Sequence, residues 1–436
     1  MDLMCSNPLT LPPPGSLAVV VGAARSGLAA ARLLGHLGLK VRIADLKEPS
    51  PVVAEECAAQ GWEYISGAHN PAQFAGAAVI VPSPGVPLPK VEAHLSAAQR
   101  ELIIGEMELA YMQLRGEPIL AVTGTSGKTT TVSAAAAMLE EAGKKVFLGG
   151  NIGTPLSEYV LEQYKGAARA EVLVLEVSSF QLQTCRTFRP NVAVLLNISE
   201  NHLDQHKDMA EYQDAKFRLF RCQADGDIAI LPEELRILGS GYPLPAAIEY
   251  FTAQNRFPDT RLLGAHNQIN LEAAYLSCAH FGVDLAAAAR AAARFAPLPH
   301  RLEAVAEKNG VLWVNDSKST TVESLRVALA AMDRPVRLLA GGVFKGGDLR
   351  ALLPLMRGKV REVALFGQSR EIFESAWQGE LDLSWHPTLS EACARLWTAA
   401  APGEAILLSP ATASFDLYSN YKARGDDFRH IAEELK

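Results

Sequence analysis

Short apolar runs recur along the chain, each followed by a glycine- or hydroxyl-rich break and then by an Ala/Leu-rich segment with helical spacing. Leu17–Val21, Lys40–Ala44 and Ala77–Val81 read as strands near the start; Ile119–Val122, Lys145–Leu148, Val172–Val177 and Val192–Ile198 continue the pattern. Val311–Val314, Val336–Ala340, Val363–Phe366 and Ala405–Leu408 repeat it in the last third. Runs that are apolar throughout, rather than alternating, suit strands buried on both faces. Their alternation with helices predicts parallel sheets.

Two breaks divide the pattern. One lies near Gly105–Glu108, and the second is the stiff segment Pro297, Leu298, Pro299, His300, Arg301. A chain of 436 residues exceeds one average core. The reading is α/β with three domains, at 1–106, 107–298 and 299–436.

In such sheets ligands gather beyond the carboxyl ends of the strands, so those loops carry the chemistry. The richest is in PILAVTGTSGKTT, Pro118–Thr130. An apolar strand breaks into Gly124, Thr125, Ser126, Gly127, Lys128, Thr129 and Thr130 and runs into an Ala-rich helix. Such a loop turns backbone N–H groups and a helix N-terminus toward phosphates, with the lysine on the terminal phosphates and the hydroxyl on Mg²⁺. The general GxxxxGK[ST] pattern fails by one position, because Val122 stands where its first glycine belongs. The reading is an ATP site with a shortened loop. An ordinary strand-to-helix turn carrying a surface lysine is the alternative.

The first domain has a similar layout. Gly22, Ala23, Ala24, Arg25, Ser26 and Gly27 follow the first strand, and Asp45 ends the second, placed to meet a ribose. Ala24 replaces the middle glycine of GxGxxG, which ranks a dinucleotide below a mononucleotide or nucleotide-sugar phosphate. Pro82, Ser83, Pro84 and Gly85 form a rigid turn at a further strand end.

In the central region Asn151, Glu176 with Ser178, and His202 with Asp204 fall beyond strand ends on the edge that carries the phosphate loop. Glu176 is placed like a carboxylate that holds Mg²⁺ directly or through water. Lys216, in a stretch of mixed charge, reads from spacing alone as a solvated helix lysine. Leu262–Ala274 introduces a helix with His266, Asn267 and Asn270 at its start, as caps or as readers of an adenine edge. In the third domain three polar loops share one edge: Asn315–Lys318, Gly341–Gly347 with Lys345, and Ser409–Ser414. They predict a ligand face.

Composition narrows the class. With 41 basic and 48 acidic residues the net charge is −7, which argues against nucleic acid and anionic membranes as partners. No apolar run approaches a membrane span, and the N-terminal stretch lacks a signal-peptide pattern. The six cysteines show no CxxC pair and read as reduced thiols. The expectation is a cytoplasmic protein.

The phosphate loop, Glu176, ENHLDQH, GAHNQIN, His300-Arg301, NDSKST and LSPATASFD occur in this order. On these motifs the chain resembles the Mur ligase family of ATP-dependent amide-bond-forming enzymes over essentially its whole length. GGNIG, VSSFQL, GGVFKGG and LSPATASFDLYSNYKARGDDF are most similar to the members that add D-glutamate to UDP-N-acetylmuramoyl-L-alanine. The resemblance implies a Rossmann-like N-terminal domain, a central P-loop-type ATPase domain and a C-terminal Rossmann-like domain, acting as a monomer in peptidoglycan-precursor synthesis. It implies ATP held by Gly124–Thr130 with Asn267, Arg301 and Asp316. Two Mg²⁺ ions would be held by Thr129, Glu176, His202 and a carbamylated Lys216, which overrides the solvated-lysine reading.

The same resemblance implies Ser26, Asp45, Ser83, Asn151 and Ser178 on the UDP substrate, and Thr320, Lys345, Ser414, Phe415 and Tyr421 on D-glutamate. Lys128, His202 and Lys216 would carry the catalysis, with the third domain closing to bring in the amine. The chain departs from the family pattern at Arg25, at Ser319-Thr320-Thr321 and at Tyr421. The rival readings are a sister ligase with another acceptor, a folylpolyglutamate synthetase, a nucleotide-sensing protein without turnover, and a dinucleotide oxidoreductase. No DNPR segment of the kind associated with diamino-acid ligases is present.

Overall fold

The computed structural model describes residue 5, residues 10–199 and residues 206–435. It comprises two compact units: Met1–Arg256 with Ile269–Ala292, and Phe257–Gln268 with Ala293–Lys436.

The first unit contains two sheets. Strands β1 (Leu17–Val21), β2 (Lys40–Asp45), β3 (Glu63–Ser66) and β4 (Ala77–Pro82) form a parallel sheet in the order β3-β2-β1-β4. Strands β5 (Ile119–Thr123), β6 (Val146–Gly150), β7 (Val172–Glu176), β8 (Val192–Leu195), β9 (Ile228–Pro232) and β10 (Ala247–Phe251) form a second, also parallel. Its order is β10-β9-β8-β5-β7-β6. The phosphate-loop strand β5 is therefore central, flanked by β7 and β8, and every residue of β5, β7 and β8 is buried. That double-sided burial explains the continuous apolar runs.

The second unit has one sheet in the order β11-β12-β16-β13-β14-β15. Its strands are β11 (Glu303–Lys308), β12 (Val311–Asn315), β13 (Val336–Gly341), β14 (Val360–Phe366), β15 (Leu383–His386) and β16 (Ala405–Leu408). Only the β11–β12 hairpin is antiparallel among its pairings. The α/β architecture with three sheets, expected from the apolar runs, is what the chain adopts. No helix among the described residues is long and apolar enough to cross a membrane.

One expectation is corrected. Cys5 and Cys222 are joined as a disulfide across 217 residues, whereas Cys57, Cys185, Cys278 and Cys393 are free and buried. A pairing at that separation leaves no local spacing signature, which is why all six cysteines read as thiols.

Candidate active site

The phosphate loop connects β5 to the helix Lys128–Glu141. Two glycines are required by shape. Gly124 has φ +153° with Leu196 packed against it, and Gly127 starts the helix at φ +82°. A Cβ on Gly127 would collide with Asn270 Oδ1. Gly127→Ala is therefore expected to lower stability by about 1–3 kcal/mol and to weaken ATP binding, read by chemical denaturation and by nucleotide titration. An unchanged unfolding midpoint would contradict this packing.

Asn197, just past β8, holds the loop from the other side. The Thr125 N–H donates to its carbonyl at 3.0 Å and the Ser126 N–H to its Oδ1 at 2.9 Å, while Asn197 Nδ2 donates back to Ser126 O at 3.2 Å. Two of the N–H groups expected to face phosphate are thus engaged by Asn197 in this geometry.

Two lysines meet on one carbonyl of this loop. Lys128 Nζ donates to Gly124 O at 2.7 Å and to Thr125 O at 3.0 Å. Lys216 Nζ donates to the same Gly124 O at 2.9 Å from the last turn of the helix Met209–Phe217. Lys216 is only 1% exposed, which corrects the solvated reading from spacing. Burial, with the Lys128 charge adding to it, pushes the Lys216 amine down to about 6. Tyr212, one turn earlier, lays its ring 4.5 Å from Lys216 Nζ and places its hydroxyl 3.0 Å from Thr125 Oγ1. The i, i+4 spacing of Tyr212 and Lys216 was the signal for this contact.

Glu176 ends β7 and is 2% exposed. Its Oε1 accepts from Asn151 Nδ2 at 2.6 Å, and its Oε2 is buried with no hydrogen-bond partner among the described residues. A buried carboxylate oxygen without a donor fits a cation ligand. Among the described residues no three His, Cys, Asp or Glu side chains are grouped as a metal site. His202 and Asp204 lie outside the described residues.

Ser178 caps the short helix Ser179–Gln183 in a capping box with Gln181. His206, which sequence reasoning passed over, is buried between Ser179, whose Oγ lies 2.9 Å from its Nε2, and the stacked ring of Phe180.

In the first sheet the Asp45 carboxylate accepts from the Ala23 N–H at 2.6 Å and the Lys47 N–H at 2.9 Å, and Ser83 Oγ donates to Gly22 O at 2.9 Å. Asp45 and Ser83 therefore shape the glycine loop, and Ser26 sits in the first turn of the helix Arg25–His36 that follows it. A Cβ on Gly27 would collide with Gly22 O.

In the second unit β12, β16 and β13 are neighbours, so the three predicted polar loops emerge together. Arg424 ties them. Fully buried, it donates to Ser317 Oγ and O at 3.0 and 2.9 Å and to Thr412 O at 3.1 Å, with Gly341 O at 3.5 Å. Burial lowers its guanidinium to about 10. Nothing in the sequence pattern singled out this residue.

Asp316 is buried, which pushes its carboxyl up to about 7 against the Ser409 hydroxyl and the Leu302 N–H that donate to it. His300 and Leu302, on either side of Arg301, adopt left-handed backbone at φ +62° and +44°. Asn267 Nδ2 donates to Leu263 O at 2.7 Å. Ser414 is buried, Lys345 and Phe415 are exposed, and the Tyr421 hydroxyl accepts from Lys318 Nζ at 3.2 Å. Thr320 is half-buried beyond β12.

Family models cover the same three regions. The MurD-like N-terminal domain of Mur ligases matches residues 16–105, the Mur ligase middle domain 122–238, and the Mur ligase glutamate ligase domain 300–412. The chain belongs to the Mur ligase family. A Mur ligase named UDP-N-acetylmuramoylalanine–D-glutamate ligase, from Nitratidesulfovibrio vulgaris (strain DSM 19637 / Miyazaki F), is 58% identical over 431 residues, 97% of each chain. One of the same name from Lawsonia intracellularis is 49% identical over 95% of this chain and 94% of its own.

Among solved Mur ligase structures, the MurF ligase of Thermotoga maritima in complex with ADP is 16% identical and superposes with a TM-score of 0.61, covering 100% of this chain and 98% of its own. MurF from Acinetobacter baumannii is 18% identical with a TM-score of 0.59, over 95% and 93%. These two share the fold.

Proposed function

We infer that this chain is an ATP-dependent amide-bond ligase that adds D-glutamate to UDP-N-acetylmuramoyl-L-alanine through an acyl phosphate, in cytoplasmic peptidoglycan-precursor synthesis. The match at 49–58% identity over nearly the full length of relatives bearing that name carries this reading. The dinucleotide-oxidoreductase, folate and non-turnover readings have no comparable support.

The proposed division of labour follows the three sheets, as domains 1–106, 107–298 and 299–436. Ser26, Asp45 and Ser83, with Asn151 and Ser178, take the UDP substrate. Gly124–Thr130, with Asn267, Arg301 and Asp316, take ATP. Thr320, Lys345, Ser414, Phe415 and Tyr421 take D-glutamate. One chain supplies candidates for all three ligands, which supports a monomer.

A carboxylate is a poor electrophile, and transfer of the γ-phosphoryl group to the alanyl carboxylate supplies a leaving group. The glutamate amine then attacks the carbonyl, an amide forms and phosphate departs. Lys128 exchanges the Gly124 and Thr125 carbonyls for the phosphates and neutralises their charge. The neutral Lys216 amine is suited to adding CO₂, giving a carbamate and a proton. Glu176 Oε2, Thr129, His202 and that carbamate would hold two Mg²⁺ ions. Bound there, the ions would neutralise charge on the transferring phosphoryl group.

ADP release with MgATP and UDP-N-acetylmuramoyl-L-alanine is expected to depend on D-glutamate and to stay at background with L-glutamate, L-alanine or a diamino acid. Release with another acceptor would move the chain to a sister activity. Binding of ATP with no release would overturn the ligase reading.

A further inference from the structure

The proposed ligase chemistry leaves the disulfide unused. Cys5 is exposed, Cys222 is buried, and both belong to the first unit. Cys222 follows the helix Met209–Phe217, which carries Lys216, and the short turn Arg218–Phe220. Cys5 precedes Leu17, where β1 begins, and the chain is already fixed to the first sheet's surroundings by the Gly15 N–H, which donates to Gly38 O at 2.8 Å.

The two sulfurs meet at Arg186, in the loop that leads to β8 of the central sheet. The Arg186 carbonyl lies 3.3 Å from Cys222 Sγ and 3.9 Å from Cys5 Sγ, and it accepts from Arg221 Nη2 at 2.9 Å. The Arg186 guanidinium donates to Glu101 O at 2.5 Å and to Ile103 O at 3.3 Å. That segment belongs to the first sheet, because the Ile80 N–H of β4 donates to Leu102 O and the Ile104 N–H to Ile80 O, each at 3.0 Å. Arg186 thus already joins the two sheets by hydrogen bonds, and the disulfide adds a covalent link at the same seam.

The pair is asymmetric toward reagents. The thiolate of a small thiol reaches the exposed Cys5 Sγ, where a mixed disulfide forms as the Cys5–Cys222 bond breaks. Cys222 leaves as a thiolate and takes up the proton that the thiol lost. A second thiolate attacks the reagent sulfur of the mixed disulfide, releasing a small-molecule disulfide and the Cys5 thiolate, which is protonated in turn. Two electrons pass to the protein, and two small thiols become one disulfide. The Arg221 guanidinium, on the carbonyl that Cys222 faces, favours the departing thiolate, and once protonated that thiol has the same carbonyl as its acceptor. Cys57, Cys185, Cys278 and Cys393 are buried, and burial pushes each of their thiols up, which keeps them out of the exchange.

We propose that Cys5–Cys222 is a reversible exchange site for low-molecular-weight thiols and disulfides, which clips the first sheet to the central sheet when oxidised and releases the clip when reduced. Exposed disulfides exchange readily where such thiols abound, as in the proposed cytoplasm. Closing a loop across 217 residues removes entropy from the unfolded chain, so oxidation stabilises the fold.

The test equilibrates the folded full-length chain in glutathione buffers running from disulfide-rich to thiol-rich, then quenches with acid, alkylates in denaturant and maps each cysteine by peptide mass. Cys5 and Cys222 are expected to pass together from disulfide to thiols and to return when the buffer is reversed, while the other four cysteines stay as thiols. The reduced chain should unfold at least about 3 °C below the oxidised one. Cys5→Ser, at an exposed position, should unfold at the reduced chain's temperature in either buffer, and Cys222→Ser should collect glutathione on Cys5. A bond that stays closed in thiol-rich buffer, one that never closes in disulfide-rich buffer, disulfides formed between two chains, or an unfolding temperature that ignores the buffer would each overturn the proposal. ADP release plays no part in these readouts, so the outcome is independent of the ligase reading.

Discussion

Lys128→Ala is expected to cut substrate-dependent ADP release by about a thousandfold while leaving a cooperative unfolding transition. In the structure the Lys128 ammonium donates to two loop carbonyls, Gly124 O and Thr125 O. Its removal takes those two hydrogen bonds from the loop and, on the proposed mechanism, would deprive the transferring phosphoryl group of a fixed cation. A second effect accompanies the first. The Lys128 charge helps hold Lys216 neutral, so the Lys216 amine should titrate at higher pH in the variant. Amine-labelling rates against pH read that shift, and turnover at the normal rate would remove the phosphate-loop assignment.

Lys216→Met should raise stability near pH 7 even as it lowers ADP release about a hundredfold or more. The sign follows from proton binding. An unfolded lysine titrates near 10.4, whereas burial and Lys128 bring the folded amine to about 6. Between those values the unfolded state binds more protons, so this group's contribution to stability rises with pH across that window. At pH 7 in CO₂-free buffer the buried amine is a cost, and methionine fills the same space without it. Denaturant unfolding from pH 6 to 9 should show a steeper pH dependence in the natural chain than in the variant. Parallel curves would mean that Lys216 is not held neutral. Partial recovery of Lys216→Ala activity by acetate or formate would support an anionic group at that position, and its absence would count against the carbamate.

The strands that the apolar pattern revealed are mainly those inside the sheets, such as β5, β7, β8, β13 and β16. Burial on both faces forces their sequences to be apolar throughout. The strands it missed lie at or near the edges: β3, β9, β10, β11 and β15. EYIS, EAVAEK and LSWH mix polar and apolar positions because one flank meets solvent, and their pattern resembles that of loops.

The candidate site was legible where the proposed chemistry calls for a particular residue at a strand end, as at Gly127, Lys128 and Glu176. It was illegible where a residue serves by burial. Arg424 looks like any helix arginine until its three loops are folded around it, and Lys216 looks solvated until Gly124 closes over it. Asn197 is one of many polar residues after a strand. Only the loop it clamps distinguishes it.

The chain path has a consequence for biosynthesis. Residues 269–292 belong to the same unit as the phosphate loop, although the preceding segment 257–268 belongs to the other. Asn270 packs on Gly127, and Cys278 Sγ donates to Ala135 O at 3.4 Å in the helix that the loop begins. A nascent chain leaving the ribosome amino end first therefore exposes its strands and phosphate loop well before the pieces that brace them. The nucleotide-binding unit becomes complete only when residue 292 has emerged, so chains arrested at 256 should be caught by chaperones or proteases rather than accumulate as a folded fragment.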